Sequence, residues 1–525
     1  MATAHGTISQ VCLDYLNLDD FASISQGQLD QDNGTQQGDK SYCLLDYAAL
    51  NWAVHYISQD SKRAKDSWRA AQNLCNILLP QQSYWFEIYC DSVDVRSDWT
   101  SLGIASLLGL TYVAESFLDE GADINAQGGE CGNALQTASE RGRDEVVQML
   151  LDKGADVNAQ GGMYGNALQA ASERGHDQVV QMLLDKGADV NAQGGMYGNA
   201  LQAASLTDHD QVVQMLLDKG ADVNAQGGRY GNALQAASSR GHDQVVQMLL
   251  DKGADVNAQG GRFGNALQAA SSRGHDQVVR TLLDKGADVN AQGGMDGNAL
   301  QAASLTDHDQ VVRMLLDEGA DINTQGGMYG NALQAASSRG HDQVVQMLLD
   351  KGADVNAQGG RFGNALQAAS EEGHDQVVQM LLDKGADVNA QGRRCGNALQ
   401  AASSRGHDQV VQMVLDKGAD VIAQRGRYGN ALQAASSRGN DQVVQMLLDK
   451  GADVNAQGGR RGNALQAASS RGDEEVVQML LDEGADVNAQ GGRYGNALQA
   501  ASERGHDKVV RMLLNHNAVV NRKGI

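Results

Sequence analysis

The apolar positions recur in two alternating clusters. In the stretch Gly165 to Tyr197, a slim run (Ala167, Leu168, Ala170, Ala171) is followed after Gly175 by a broader one (Val179, Val180, Met182, Leu183, Leu184), and then by a polar, glycine-containing tail. The spacing predicts two short helices and a turn-rich segment. Asn166 suits the N-cap of the first helix, and Gln169 is placed to reach back as in a capping box. Gly175 supplies a residue able to end that helix in the left-handed region. Asp177 sits in the first turn of the second helix, where its charge favours the dipole, and the broad run makes one apolar face. Gly187 ends the second helix. Asp189, Val190, Asn191 and the Gly194-Gly195 pair then read as a hairpin finger.

This pattern has a period. Gly-Asn-Ala-Leu-Gln begins at Gly132, Gly165, Gly198, Gly231, Gly264, Gly297, Gly330, Gly363, Gly396, Gly429, Gly462 and Gly495, each 33 residues after the last. A degenerate copy precedes them, Trp99 to Leu102 leading to Leu118 to Asp123, which makes about thirteen repeats. Neither helix is long enough to be stable alone, so each apolar face must be buried against the adjoining copies. The predicted fold is mainly α, a solenoid of helix-turn-helix repeats with β-hairpin fingers. Asp208 and Asp307 replace the first turn glycine and Asn517 the second; these residue types tolerate left-handed backbone.

Composition agrees with stacking rather than with one globular core. The 525 residues exceed what a single core accommodates. Glycine is high at 63, Pro80 is the only proline, and aromatics are 4%. A formal charge of −24 argues against nucleic acid and anionic membranes as partners. The first residues, Met1 to Leu16, lack a basic leader region, and no apolar stretch of spanning length follows. We read a cytoplasmic chain without membrane insertion, and a monomeric array. Cys12, Cys43, Cys75, Cys90, Cys131 and Cys395 are scattered without a paired motif, as reduced thiols would be.

Residues before 99 differ from the repeats and hold Trp52, Trp68 and Trp85. We divide the chain into a partly helical, polar linker (1–40), a helical N-terminal segment (41–98) and the repeat array (99–525). Gly27 to Lys40 reads as a loop. Leu44, Ala48, Trp52 and Tyr56 suggest one amphipathic helix, and Trp68, Ala71, Cys75 and Leu78 another, ended by Pro80.

The run Gly175 to Ala192 resembles the ankyrin repeat, and the likeness extends over Trp99 to Ile525, about four fifths of the chain. The resemblance implies a non-catalytic binding scaffold that uses its finger tips and inner helix surface to hold a protein. One departure is systematic: the family's Thr-Pro-Leu-His opening is here Asn-Ala-Leu-Gln, as in Asn166 to Gln169. We expect the Asn and Gln side chains to replace the missing threonine and histidine bonds. Val11 to Leu16 and Ser41 to Ala49, with Trp52 and His55, also look like the segment that follows the nucleotide-binding region in fungal NACHT-type, NOD-like proteins. That likeness implies an alternative, a ligand-sensing fragment of such a signalling NTPase without its nucleotide-binding domain. No phosphate loop is present; Gly34 to Ser41 comes nearest, with wrong spacing.

Other chemistry is disfavoured by geometry. Histidine recurs at His176, His209, His242, His275, His308, His341, His374, His407 and His506. Stacked helices lie about 8 to 10 Å apart, whereas metal ligands converge to about 2 Å, so these read as turn histidines. The series breaks at Arg143, Asn440 and Asp473. Ser172 with His176 and Asp177 is no triad, because a triad is one unique constellation and this one is copied. The Met182-type positions read as helix core. We expect no enzyme, no cofactor and no metal.

Comparing the copies shows which positions vary. One variable pair is the finger tip: Met163-Tyr164, Met196-Tyr197, Arg229-Tyr230, Arg262-Phe263, Met328-Tyr329, Arg361-Phe362, Arg394-Cys395, Arg427-Tyr428, Arg460-Arg461 and Arg493-Tyr494, with Glu130-Cys131 and Met295-Asp296 in the same register. A second variable stretch ends the first helix, as in Glu173-Arg174 and Leu206-Thr207. Exposed Arg, Tyr, Phe and Met make interface anchors, so these tips are the expected binding surface. Arg dominates from Arg361 onward, which favours an acidic partner there. The copies at Gly198 and Gly297 share Ser-Leu-Thr-Asp-His-Asp, a sign of block duplication.

Overall fold

The structure is a computed structural model and describes residues 2–16, 45–58, 61–76, 86, 99–392, 396–424 and 428–519. It divides into two compact units, Met1–Gly261 and Arg262–Ile525.

The first unit opens with α1 (Ala2–Leu16), α2 (Leu45–Ile57) and α3 (Ser61–Cys75). The four-residue spacing in α2 works as expected: Ala48, Trp52 and Tyr56 are buried, Trp52 completely. In α3, Ala71 and Cys75 are buried and Trp68 is half-buried. Leu44, Leu78, Pro80, Trp85 and the Gly27 to Lys40 segment lie outside the described residues. Next come α4 (Ser101–Leu108), capped by Thr100, and α5 (Thr111–Asp119). Helix α3 packs on both, and Gln72 donates to Glu120 across 2.8 Å. Helix α3 thereby covers the apolar side of the first repeat, with α1 packed behind it and α2 on α1.

Every later repeat has an inner helix, such as Ala167–Arg174, and an outer helix, such as Asp177–Asp185. Within each unit, inner helices pack on inner helices and outer on outer. Leu168, Ala170, Ala171, Val179, Val180 and Leu183 are at most 1% exposed. A fully buried aliphatic side chain contributes about 1.5 to 3 kcal/mol, so these residues dominate each repeat. Met182 is only half-buried, at the edge of the apolar face rather than in its core. The outer surface instead carries ion pairs such as Lys186 to Asp152 at 2.8 Å; exposed, each contributes little.

The opening of each repeat explains the departure from Thr-Pro-Leu-His. Asn166 Oδ1 accepts from the Gln169 amide at 2.9 Å, and Gln169 Oε1 accepts from the Asn166 amide at 2.8 Å. The same reciprocal pair forms in each repeat from Asn133 to Asn496. Gln169 Nε2 also donates to Ala192 O and Gly198 O, at 2.9 and 2.6 Å, so one side chain caps its own helix and holds the next finger.

Turns follow the residue types. Asp208, Asp307 and Asn517 adopt φ of 63, 62 and 65°, taking over the left-handed role of glycine. The finger is shorter than a ladder-bearing hairpin: a single bridge closes it, Gly161 N donating to Gly165 O at 2.7 Å. Adjacent fingers are tied by backbone, Met196 N to Met163 O at 3.1 Å in the first unit and Arg361 N to Met328 O at 3.0 Å in the second. At the far end of the second unit Leu514 is 45% exposed, whereas Leu349 at the same repeat position is 8% exposed.

Candidate functional site

The backbone ties between fingers set the tips in a row within each unit and separate the two tip residues. The first projects outward: Met163, Met196 and Met328 are 40, 43 and 45% exposed, and Arg229, Arg262, Arg361, Arg460 and Arg493 are exposed too. The second turns inward. Tyr164 and Phe362 are buried, and Tyr197, Tyr230, Phe263, Tyr329, Tyr428 and Tyr494 are half-buried. This corrects the expectation that tip aromatics stand exposed. Arg394 and Arg427 lie outside the described residues.

Five of the rings, Tyr164, Phe263, Tyr329, Tyr428 and Tyr494, pack on an arginine ten residues later, at the end of the inner helix, while Phe362, with Glu372 at that position, packs on Arg361 instead. Arg174 Nη2 donates to the Tyr164 hydroxyl at 3.0 Å, and its guanidinium lies 6.0 Å from the ring centre. Arg339 with Tyr329, Arg438 with Tyr428 and Arg504 with Tyr494 repeat the bond at 3.2, 3.2 and 2.7 Å. Arg273 stacks on Phe263 at 5.8 Å. In those five repeats the two variable stretches meet in one contact, ring to guanidinium. In the sequence the two stretches read as separate surfaces. The available signal was the recurrence of Arg ten positions after the ring, as in Tyr164 and Arg174 or Tyr494 and Arg504.

These contacts make a half-buried floor of alternating rings and guanidiniums, rimmed by the exposed Met and Arg. Tyr329 and Phe362 are neighbours on it, 6.4 Å between centres, with Arg361 4.8 Å from the Phe362 ring. In the first unit burial pushes the Tyr164 hydroxyl up to about 12, so it stays protonated. Arg174 also pairs with the buried carboxylate of Glu140 in the preceding repeat at 2.8 Å. Arg405 pairs with Glu371 in the same way at 3.1 Å.

The repeated histidines are joints between copies. A ring nitrogen of His176 meets the Glu140 carbonyl at 3.1 Å, His341 meets Leu305 O at 3.1 Å, and His407 meets Glu371 O at 3.1 Å. Two breaks in the series keep the joint with another donor: Arg143 Nε to Leu107 O at 3.2 Å, and Asn440 Nδ2 to Ser403 O at 2.9 Å. At the third, Asp473 caps its own helix by accepting from Val476 N at 3.2 Å. Ser172, His176 and Asp177 do not converge: Ser172 is fully buried, and Asp177 accepts from the Gln178 amide. Among the described residues no group of three or more His, Cys, Asp or Glu is placed to hold a metal. Likewise, no helix of the described residues is long and apolar enough to cross a membrane. Cys12, Cys75 and Cys131 are buried free thiols.

Comparison with curated proteins gives no match to the chain. A family profile described as ankyrin repeats (3 copies) matches it in overlapping stretches, beginning with 102–194 and 135–227 and ending with 392–458 and 432–524. The helix pairs, turn conformations and single-bridge fingers are the physical form of that match, and the chain belongs to the ankyrin-repeat family, whose members are protein-interaction modules.

Proposed function

We propose that this chain is a non-catalytic scaffold that holds a protein partner along its finger row. The reading is carried by one observation: the first tip residue is exposed in each described finger and varies among Glu, Met and Arg, while the Asn-Ala-Leu-Gln opening beside it recurs unchanged. Met163, Met196 and Met328 offer adaptable apolar contact, and Arg229, Arg262, Arg361, Arg460 and Arg493 offer forked donors. The half-buried rings are floor rather than anchors. They give a partner a flat apolar base at little entropic cost, since arginine contacts already hold most of them. The Arg-bearing fingers of the second unit favour an acidic segment of that partner.

The test is quantitative capture of the natural partner by the full chain and by a Met163→Glu, Met196→Glu, Arg229→Glu, Arg361→Glu variant. These side chains support no core, so the fold should persist and affinity should fall at least about tenfold. Unchanged affinity would move binding off the finger row.

A further inference from the structure

In the second unit one cavity, of about 240 Å³, departs from the acidic character of the chain. Arg438, Arg460, Arg461, Arg493 and Arg504 line it together with the rings of Tyr428 and Tyr494, and none of the lining residues is acidic. Arg461 stands where Tyr428 and Tyr494 stand in the adjoining repeats, and its Nη1 donates to the Ser437 carbonyl at 3.0 Å. Arg438 and Arg504 are held by the tyrosine hydroxyls at 3.2 and 2.7 Å. The Arg493 guanidinium lies 5.7 Å from the Tyr494 ring centre.

The arginines here lack the carboxylate partner that two of their repeat equivalents have. Arg174 and Arg405, at the repeat position of Arg438 and Arg504, each pair with a glutamate of the preceding copy, Glu140 and Glu371. The residues corresponding to those glutamates here are Ser404 and Ser470, whose hydroxyls donate to Ala401 O and Ala467 O. Burial, with Arg438 and Arg504 nearby, pulls the Arg461 guanidinium below its usual value. Converging cations, three of them held by hydrogen bonds, form a site that an anion relieves.

We propose that this pocket binds a phosphomonoester, carried either by a phosphorylated side chain of the partner or by a small ester. Such a group brings about −1.5 to −2 charge and three acceptor oxygens to the guanidinium forks, where a carboxylate brings one charge. The first source rests on the protein-binding reading above; the second does not.

Titration calorimetry of the full chain with phenyl phosphate, a neutral phosphotyrosine peptide and its unphosphorylated form tests the pocket. Saturable binding of both phosphorylated probes is expected, weakening with salt, and falling about tenfold or more in Arg460→Gln, Arg493→Gln. Arg461→Gln should weaken it as well. Arg280→Gln removes the same charge from an outer helix and should bind like wild type, and thermal midpoints establish that all variants fold. A peptide tighter than phenyl phosphate assigns a side-chain source; equal affinity assigns a small ester. No saturable binding, equal binding of the unphosphorylated peptide, or tighter binding of a single-stranded oligonucleotide would overturn the proposal. Partner capture that depends on Met163, Met196, Arg229 and Arg361 without phosphate binding would remove the pocket and leave the scaffold standing.

Discussion

One glutamine at the opening of most repeats both caps its helix and bonds to the following finger, and its loss should cost more than loss of the cap it completes. Gln334 Oε1 accepts from Asn331 N at 2.7 Å, while Nε2 donates to Ala357 O and Gly363 O at 2.8 and 2.9 Å. Asn331→Ala removes the cap, worth about 1 kcal/mol. Gln334→Ala also strands buried backbone groups, for a total of about 2 to 4 kcal/mol. Native-state hydrogen exchange of the amides around 331–363 reads both losses, and equal protection in the two variants would refute the ordering. The histidines make stability depend on pH. Burial is the largest influence on His308 and His374 and lowers both from 6.5. Above that value both folded and unfolded chains leave them neutral; below it the unfolded chain takes up protons first. Stability should therefore rise with pH through the window just below 6.5 and flatten above it. His374→Asn, which copies the natural Asn440 joint, should keep the contact at pH 8 and shrink the slope between pH 5 and 7 in urea midpoints. An unchanged slope would exclude His374 as a source. The turn residues Asp208 and Asp307 and the Asn-Gln pair were legible in the sequence, because each acts within a few positions of itself. The second and third bonds of the glutamine were not, since their partners lie 23 and 29 residues further on, in the finger and at the start of the next copy.

At the scale of elements, the helices follow directly from apolar spacing and caps, and Val179, Val180 and Leu183 are buried where the period puts them. Met182 shows the limit of that logic: an apolar residue on a helix edge is not fixed by spacing alone, and it lies half exposed. The finger aromatics show a second limit. Exposed-looking tips proved to be a floor, and in five repeats the ring's partner is ten residues away across the turn into the inner helix, a separation with no helical or strand period. Burial assigns Tyr164 a structural weight that its position in a finger conceals. Tyr164→Ala should destabilise the first unit by about 3 kcal/mol, as removal of a buried ring does, whereas Met163→Ala beside it should change stability by less than about 0.5 kcal/mol. Chemical denaturation followed at the first unit separates the two; equal effects would place the ring among the exposed anchors after all.

At the scale of the molecule, each unit is a stack in which a copy leans on its neighbours, so the ends differ from the middle. Helix α3 covers the start, backed by α1 and α2, with Trp52 and Leu74 fully buried. The last described helix, Asp507–Asn515, leaves Leu514 open. Leu514→Gln should leave the midpoint unchanged or slightly higher, while Leu349→Gln, the same position inside the stack, should unfold its repeat; far-ultraviolet dichroism on heating reports both. The most direct test of the central claim is site-specific photo-crosslinking in the native cell, from a benzophenone residue placed at Met328 or Arg361 on the finger row and at Gln346 on the outer helices. The account predicts one protein crosslinked from Met328 and Arg361 and none from Gln346. Crosslinks from Gln346 alone, or none from the finger row, would contradict it.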